Sequence, residues 1–327
     1  MTAIQVRGLR KSYNGVAAVG GVDLDIRQGE VFALLGPNGA GKTTTVEILE
    51  GHRRRDDGDV SVLGEDPASA SRAWRARIGI VLQTANDAAE LTVRESVRHY
   101  AGYYPNPADP DVVIERVGLT AKAGARVKGL SGGQRRRLDV ALGVIGQPEL
   151  VFLDEPTTGF DPEARRQFWE LIRNLAAGGT TILLTTHYLD EADVLCDRIL
   201  VIDHGAIVAE GTPSELKAQV SGDRVEAGVP DQHVAATAEI AGKLPDAHEI
   251  STLEGTVRFR VPRGDTALPE LLRALDAAGI PMNSVQVQRP TLDDVFLTLT
   301  GRSLRDAEAE PAPQAEAEKD KESTDVA

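Results

Sequence analysis

The feature that most constrains the fold is a glycine-rich segment, "GPNGAGKT", which joins an apolar run to a helical pattern. Residues 36–43 match the pattern G-x-x-x-x-G-K-[ST]. The apolar run "VFALL" (31–35) precedes them, and "TTTVEILEG" (43–51) continues with the spacing of a helix. A strand, a glycine-rich turn and a helix in this order are typical of a phosphate-binding loop. A glycine-rich turn with an exposed lysine is the alternative, and we disfavour it because all three parts are present.

The chemistry of this loop depends on its backbone amides and on two side chains. Glycine residues allow the backbone N–H groups to wrap around phosphates. Lys42 is expected to reach the terminal phosphates, and the Thr43 hydroxyl is expected to bind Mg²⁺. The predicted nucleotide contacts form one continuous stretch, made of Gly36, Pro37, Asn38, Gly39, Ala40, Gly41, Lys42, Thr43 and Thr44.

Four further apolar runs predict buried strands, with helical patterns between most of them. The runs are "IGIVLQ" (78–83), "LVFLD" (150–154), "TILLT" (181–185) and "ILVID" (199–203). This alternation predicts a mostly parallel α/β sheet. A Thr-x-x-Glu pattern at Thr92 and Glu95 predicts one more helix, over residues 92–104, with a capping box at its start.

Two acidic residues follow the predicted strand 150–154. Because a carboxylate at the carboxyl end of a parallel strand faces the ligand crevice, Asp154 is expected to hold Mg²⁺, through water. Glu155 is then placed to polarise the attacking water. The alternative is that these acids cap a helix, but the next helical pattern begins later, near Asp161.

A second glycine pair opens another predicted helix, in "LSGGQRRRLDVAL" (130–142). Ser131 and Gln134 have the spacing of a capping box. The apolar residues of the helix fall on one face, at Leu138, Ala141, Leu142 and Ile145. Its start offers the amides of Gly132 and Gly133 and a positive dipole end, but no lysine. We interpret the three arginines 135–137 as a solvated helix face rather than as phosphate contacts.

Composition and charge exclude several classes of protein. The chain has 327 residues, a net charge of −14 and a single cysteine, Cys196. The acidic balance argues against nucleic acid as the main partner, and one cysteine allows neither an internal disulfide nor a zinc site built on several cysteines. The first residues do not look like a signal peptide, and no apolar run approaches the ~20 residues that cross a bilayer. If the protein works at a membrane, we expect another chain to span it.

Seven motifs in order carry a family resemblance. They are Tyr13 in "RKSY", the phosphate-binding loop, Gln83, "LSGGQ", "LVFLDEP", "GFD" and "TTH". Alone, Gln83, His187 and Tyr13 are weak signals, since each is more often a packing or capping residue. Together the motifs resemble the nucleotide-binding subunit of ABC transporters over residues 4 to about 220.

The resemblance implies roles for the remaining site residues. Tyr13 would stack on adenine, Gln83 would sense Mg²⁺ and the membrane partner, and His187 would contact the γ-phosphate. Asp161 of "GFD" would join the ATP site. The implied catalytic set is Glu155, His187 and Gln83. The implied metal ligands are Thr43, Gln83 and Asp154, and the implied cofactors are ATP and Mg²⁺.

The resemblance also implies how the second glycine pair is used. In this family two subunits meet head to tail, and the signature motif of one, here "LSGGQ" (130–134), closes over the ATP held by the other. Ser131, Gly132, Gly133 and Gln134 would therefore bind a nucleotide in trans, in a homodimer or a pseudo-symmetric heterodimer. The implied fold is a P-loop core with a RecA-like, mostly parallel sheet plus antiparallel β and helical subdomains.

The segments "TTGFDP" and "RPTLDDVFLTLTG" look more specifically like the ATPase subunits of daunorubicin-resistance-type drug exporters. That subfamily implies a separately encoded membrane permease, efflux of lipophilic compounds and a peripheral location on the cytoplasmic face of the cell membrane. Three alternatives remain: a soluble ABC ATPase not coupled to transport, the ATPase of an importer, and a binding module without catalysis. The intact Glu155 argues against the last.

Beyond the ATPase domain, expected over residues 1–221, two further regions are predicted. Residues 222–302 read as strand, helix, strand, strand, helix and strand, which suggests a small ferredoxin-like α+β domain. A last helix would begin after Thr291 and end at Gly301, with an apolar face made of Leu292, Val295, Phe296 and Leu299. We expect this domain to pack that face internally or to brace the dimer. Residues 303–327 are acidic and are predicted to be disordered.

Overall fold

The computed structural model describes residues 1–81, 89–220, 222–253 and 255–303. The chain divides into two compact units, and the described parts of these are Met1–Pro213 and Ser214–Ser303. The sequence-based boundary after residue 221 remains a prediction. The predicted acidic tail lies outside the described residues except for Ser303.

The first unit contains two sheets. Its strands are β1 (Thr2–Tyr13), β2 (Val16–Arg27), β3 (Val31–Leu35), β4 (Asp57–Val62), β5 (Ile78–Val81), β6 (Leu150–Asp154), β7 (Thr181–Thr186), β8 (Arg198–Asp203) and β9 (Ala206–Gly211). One sheet is antiparallel, in the order β2-β1-β4, and the other has the order β5-β6-β7-β3-β8-β9. In the second sheet only β9 runs antiparallel to its neighbour. The mostly parallel sheet predicted from the five apolar runs is therefore confirmed.

The α-helices in the described part of the first unit lie between its strands along the chain. They are α1 (Lys42–Leu49), α2 (Arg72–Arg75), α3 (Val93–Ala101), α4 (Pro110–Arg116), α5 (Gly132–Val144), α6 (Pro162–Ala177) and α7 (Leu189–Leu195). The predicted capping box between Thr92 and Glu95 is present at the start of α3. This helix ends at Ala101, earlier than the predicted residue 104. Within the described part of the chain, no helix is both long and apolar enough to span a bilayer.

One apolar core fixes the position of the glycine-rich loop. It includes residues of both sheets, such as Leu9 of β1 and Phe152 of β6, together with Val46 of α1. Six of the eight residues of α1 are buried. Because α1 is enclosed and β3 is buried along its whole length, the loop between them is held at both ends by packed elements.

The second unit begins within α8 (Pro213–Ala218) and continues through a four-stranded antiparallel sheet. Its further elements are β10 (Asp223–Gly228), α9 (Val234–Gly242), β11 (His248–Leu253), β12 (Thr256–Val261), α10 (Gly264–Ala277), β13 (Ser284–Gln288) and α11 (Leu292–Thr300). The sheet order β11-β12-β10-β13 together with the βαββαβ succession is that of a ferredoxin-like sandwich, as predicted. The apolar pattern "ALPELLRALDAAG" predicts the second helix of this unit over residues 267–279, and α10 begins three residues earlier, at Gly264.

The structure of the last helix, α11, confirms most of what the sequence predicts for it. Thr291 caps α11, in a capping box with Asp294, and Gly301 ends it with a φ of 77°. Three residues of the predicted apolar face are buried, namely Leu292, Val295 and Phe296. The fourth, Leu299, is 39% exposed. It lies in the last turn of the helix, and its inclusion in a buried face was wrong.

Candidate functional site

The order of the parallel strands brings the predicted site residues to one edge. Strand β3 lies between β7 and β8, and β6 lies beside β7. Glu155 follows β6, His187 follows β7 and the glycine-rich loop follows β3. Since all three strands are parallel, these segments meet at the carboxyl edge of the sheet. Gln83 is expected at the same edge, after β5, but it lies outside the described residues.

Two glycines of the loop are required by the geometry of this chain. Gly36 approaches β8 so closely that an added Cβ would lie 2.1 Å from the carbonyl oxygen of Ile202. Gly41 has a φ of 102°, and its Cβ would lie 2.3 Å from the carbonyl oxygen of Ala18. Only glycine fits such positions, because any side chain would collide with backbone atoms.

The lysine of the loop is held inside the site. Lys42 is only 5% exposed. Its Nζ donates to the carbonyl oxygens of Gly36 at 2.6 Å and Pro37 at 3.0 Å. The loop therefore positions an ammonium group against its own backbone, at the start of α1. An anionic ligand at this helix start would meet the ammonium together with the dipole of the helix.

Asp154 and Glu155 are fixed by β7. Oδ1 of Asp154 accepts a 2.5 Å hydrogen bond from the hydroxyl of Thr185. The backbone N–H of Glu155 donates to Oγ1 and to the carbonyl oxygen of the same threonine, at 3.0 and 3.2 Å. We did not identify Thr185 from the sequence. No local sequence pattern points to it, because the contact depends on the pairing of Asp154 with Thr185 in the parallel ladder.

The side chain of Glu155 contacts His187. Its Oε1 lies 3.3 Å from Nδ1 of the imidazole, and both side chains are 17% exposed. The interaction with His187 holds the pKa of Glu155 below its ordinary value of 4.5, although burial acts in the opposite direction. A carboxylate that is charged at neutral pH and placed beside the loop can accept a proton or orient a water molecule.

Two predicted nucleotide contacts are already engaged within the chain. The ring of Tyr13, at the end of β1, has Lys11 Nζ and the guanidinium of Arg53 at 5.4 and 5.3 Å from its centroid. Oδ1 of Asp161 accepts from the backbone amides of Glu163 and Ala164 and so caps α6. Stacking of Tyr13 on adenine and a nucleotide role for Asp161 remain predictions.

The signature segment forms the predicted helix start. Ser131 and Gln134 make a reciprocal capping box, and both glycines that follow belong to α5. A Cβ added to Gly132 would meet no heavy atom within 4 Å among the described residues. At Gly133 it would meet only the Cβ of Ala164, at an ordinary contact distance of 3.6 Å. The packing of this chain therefore does not require glycine at either position.

One arginine of this helix was misassigned. Arg136 is 6% exposed, so the predicted solvated face does not include it. Nη2 and Nε of Arg136 donate to the carbonyl oxygens of Asp154 and Pro156, at 2.7 and 3.1 Å. Val140 and Gly143, which follow Arg136 by four and seven residues, are also buried. This helical spacing is the sequence signal that we overlooked.

Comparisons with known proteins agree with this arrangement. A family model described as "ABC transporter" matches residues 19–158, and one described as "ATP-binding protein DrrA1-3-like, C-terminal domain" matches residues 211–300. The daunorubicin resistance ATP-binding protein DrrA3 of Streptomyces coeruleorubidus is 43% identical over 321 residues, which cover 94% of this chain and 99% of that protein. This chain belongs to the ATP-binding subunits of ABC transporters. It is an ATPase.

Further relatives of this ABC transporter subunit include exporter proteins and solved cassettes. The Nod factor export ATP-binding protein I of Ralstonia nicotianae is 41% identical over 311 residues, covering 93% of this chain and 95% of that protein. The structure of cbiO1 from Clostridium perfringens, part of the ABC transporter complex cbiONQ, is 28% identical with a TM-score of 0.62 and covers 67% of this chain and 91% of its own. The ADP conformation of the cassette MJ1267 is 25% identical with a TM-score of 0.59, over 66% of this chain and 92% of its own.

Proposed function

We propose that two ATPase subunits bind ATP between them, head to tail, and that hydrolysis reopens the dimer to drive export through a separate membrane subunit. The observation that carries this proposal is the start of α5. Ser131, Gly132 and Gly133 form an exposed or half-exposed helix N-terminus, with glycines that the chain itself does not need. Glycine at such a helix start suits the close approach of a phosphate, which here would be held by the second subunit.

The residues of the first unit suit Mg²⁺·ATP. The cradle of Gly36 and Gly41 would fit the phosphates, with Lys42 as the counter-charge. Thr43 and Asp154 would hold Mg²⁺, together with Gln83. The ion would neutralise charge on the phosphates. Thr185 orients the carboxylate of Asp154 for this role.

Within this site, we assign proton chemistry to Glu155 and phosphate contact to His187. Glu155 is charged at neutral pH, and its contact with His187 holds its pKa below the ordinary value of 4.5. Its carboxylate would polarise the attacking water. His187, which contacts Glu155, would contact the γ-phosphate of bound ATP and would lose this contact when the phosphate leaves.

The expected γ-phosphate contacts would be strong enough to switch the dimer between its closed and open states. Hydrogen bonds to charged groups contribute ~1.5–3 kcal/mol each. Two γ-phosphate bonds at each of two sites would give roughly 6–12 kcal/mol. Moving an equilibrium from 1:99 to 99:1 requires about 5.5 kcal/mol. Loss of the γ-phosphate contacts could therefore open the dimer.

The transport direction and partners are inferred from the relatives. Both the daunorubicin resistance and the Nod factor export proteins are named for resistance or export, which favours efflux of a lipophilic compound. The membrane partner would be a separately encoded permease, and this chain would lie on the cytoplasmic face of the membrane. An importer ATPase and a soluble ATPase uncoupled from transport are the alternatives; co-purification of a permease from the native membrane would separate the soluble ATPase from the other two.

A complementation experiment tests the head-to-tail site. Ser131→Ala and Lys42→Ala should each be nearly inactive as homodimers, because both sites are damaged. In a mixture, heterodimers would contain one site with an intact loop and an intact signature, so partial recovery of ATP hydrolysis is expected. A Ser131→Arg homodimer with wild-type activity would contradict the proposal.

A further inference from the structure

A buried side chain of helix α5, Arg136, contacts the segment that contains Glu155. The guanidinium of Arg136 donates to the carbonyl oxygens of Asp154 and Pro156. These two residues flank Glu155 in the chain. The Nε and Nη2 groups form one edge of the planar guanidinium, and such an edge can bind two acceptors at once. Arg136 thus holds the backbone on both sides of the proposed catalytic carboxylate.

The backbone held in this way has an uncommon conformation. Glu155 has a φ of 41°, in the left-handed region that few residues other than glycine adopt. Such a conformation persists only where the surroundings determine it, and it is frequent at functional sites. Thr185 holds the N–H of Glu155 from one side, and Arg136 holds the adjoining carbonyls from the other.

Burial makes a surface role for Arg136 untenable. Its 6% exposure leaves the guanidinium largely without water. Burial lowers the pKa of Arg136, while Asp139, Asp154 and Glu191 act in the opposite direction. Burying a charged group is costly, and the two carbonyl acceptors offset part of the cost.

We propose that Arg136 is a positioning residue for Glu155: it fixes the left-handed backbone of residue 155 and thereby aims the carboxylate. This inference rests on the proposed role of Glu155. Arg136 also lies in the second turn of the helix that Ser131 caps. Arg136 therefore links the signature end of α5 to the segment that carries the carboxylate of the same chain.

The test is a double-mutant cycle on the full-length protein. We would measure single-turnover hydrolysis of Mg²⁺·ATP and ATP affinity for Arg136→Gln, Glu155→Gln and the double variant. A misplacement of about 1 Å can cost on the order of 100-fold in rate, so Arg136→Gln should lower the rate by roughly 10- to 100-fold. ATP affinity should change less than about twofold, because the loop of Lys42 is unaltered. In the Glu155→Gln background, Arg136→Gln should cause no further loss.

Two further variants keep the outcome interpretable. Arg136→Lys retains the charge but not the planar edge, so an intermediate rate is expected, and it replaces Arg136→Gln in the cycle if that variant does not fold. Arg116→Gln removes an exposed arginine in the last turn of α4 and should retain the wild-type rate.

Different failures point to different errors. Equal rate losses in the two backgrounds, or a wild-type rate for Arg136→Gln, would overturn the positioning role. If Glu155→Gln itself hydrolysed ATP at the wild-type rate, the proposed role of Glu155 would be wrong instead.

Discussion

The two glycine-rich helix starts of the first unit differ in what the chain itself demands of them. At the start of α1, Gly36 and Gly41 lie against backbone carbonyls, and Gly41 is left-handed. Lys42 is buried there and already engaged. At the start of α5, no heavy atom of the described residues would lie within 4 Å of a Cβ on Gly132, and no lysine follows. The packing of one chain therefore accounts for the glycines of the first helix start, whereas the glycines of the second gain a reason only if a ligand approaches from outside.

Two matched substitutions, one at each helix start, test this difference where the largest effect is expected. Gly41→Ala should lower the melting temperature and abolish most ATP binding, because the left-handed backbone and the close contact with Ala18 add ~1–3 kcal/mol of strain. Gly132→Ala should leave the stability within about 0.5 kcal/mol of the wild type, since nothing described lies within 4 Å of the new methyl group.

Activity separates the two variants further. Gly132→Ala should bind ATP normally as a monomer but hydrolyse it about tenfold or more slowly, because a methyl group would keep the partner's phosphate from the amides. Calorimetry, nucleotide titration and steady-state hydrolysis provide the three readouts. Full activity of Gly132→Ala, or a clear loss of stability, would remove the contrast between the two helix starts.

The same contrast explains which parts of the site the sequence could predict. The loop of residues 36–43 is a local motif, so its strand, turn and helix are specified by neighbouring residues. Thr185 could not be found in this way, because its partner Asp154 is distant in sequence and depends on the register of two strands. Arg136 was misassigned because charge was given more weight than helical spacing.

Whether an element of the fold could be predicted depended on how its residues are buried. The five runs of the parallel sheet were found because strands buried on both faces are continuously apolar. The antiparallel strands β1 and β2 were not predicted individually, because the prediction relied on continuous apolar runs, whereas these strands alternate apolar with polar residues and contain glycines. At the end of α11, ideal helical spacing placed Leu299 on the predicted apolar face. Tertiary packing buries that face only in the earlier turns of the helix, so Leu299 is exposed.

The pH dependence of hydrolysis tests whether His187 of the same chain lowers the pKa of Glu155. His187 holds the pKa of Glu155 below 4.5, so wild-type hydrolysis should lose activity only as the pH falls below that value. In His187→Ala this stabilisation of the carboxylate is absent and burial raises its pKa. The acid limb of kcat should therefore move to higher pH. The lowered pKa also fixes the direction of any effect on stability. Any free energy of folding that the contact between His187 and Glu155 contributes is present above pH 4.5 and is lost as the pH falls, because Glu155 becomes protonated.

The measurement is kcat against pH for the wild type, His187→Ala and a control. His99→Ala is suitable as the control, because His99 is exposed on α3 and contacts Tyr103. Its acid limb should coincide with that of the wild type. An unshifted limb in His187→Ala would mean that the contact with Glu155 does not tune the carboxylate.

The smallest effect on nucleotide binding is expected from removal of the second unit. Every residue that we assign to the nucleotide site lies between Tyr13 and His187, within the first unit. A chain that ends after Val220 should therefore bind ATP within about twofold of the full-length affinity. The second unit has its own apolar core, centred on residues such as Phe259 and Leu271, and we propose that it braces the dimer or contacts the membrane partner.

Assembly is the readout that decides this role. With Glu155→Gln to slow hydrolysis, the full-length chain should form an ATP-dependent dimer, and the chain that ends after Val220 should form it weakly and should not support efflux. A chain that ends after Ser303 lacks only residues 304–327 and should assemble normally, which separates the second unit from the acidic tail. If the shorter chain dimerises and exports as well as the full-length protein, the two helix starts of the first unit suffice for assembly, and the bracing role is wrong.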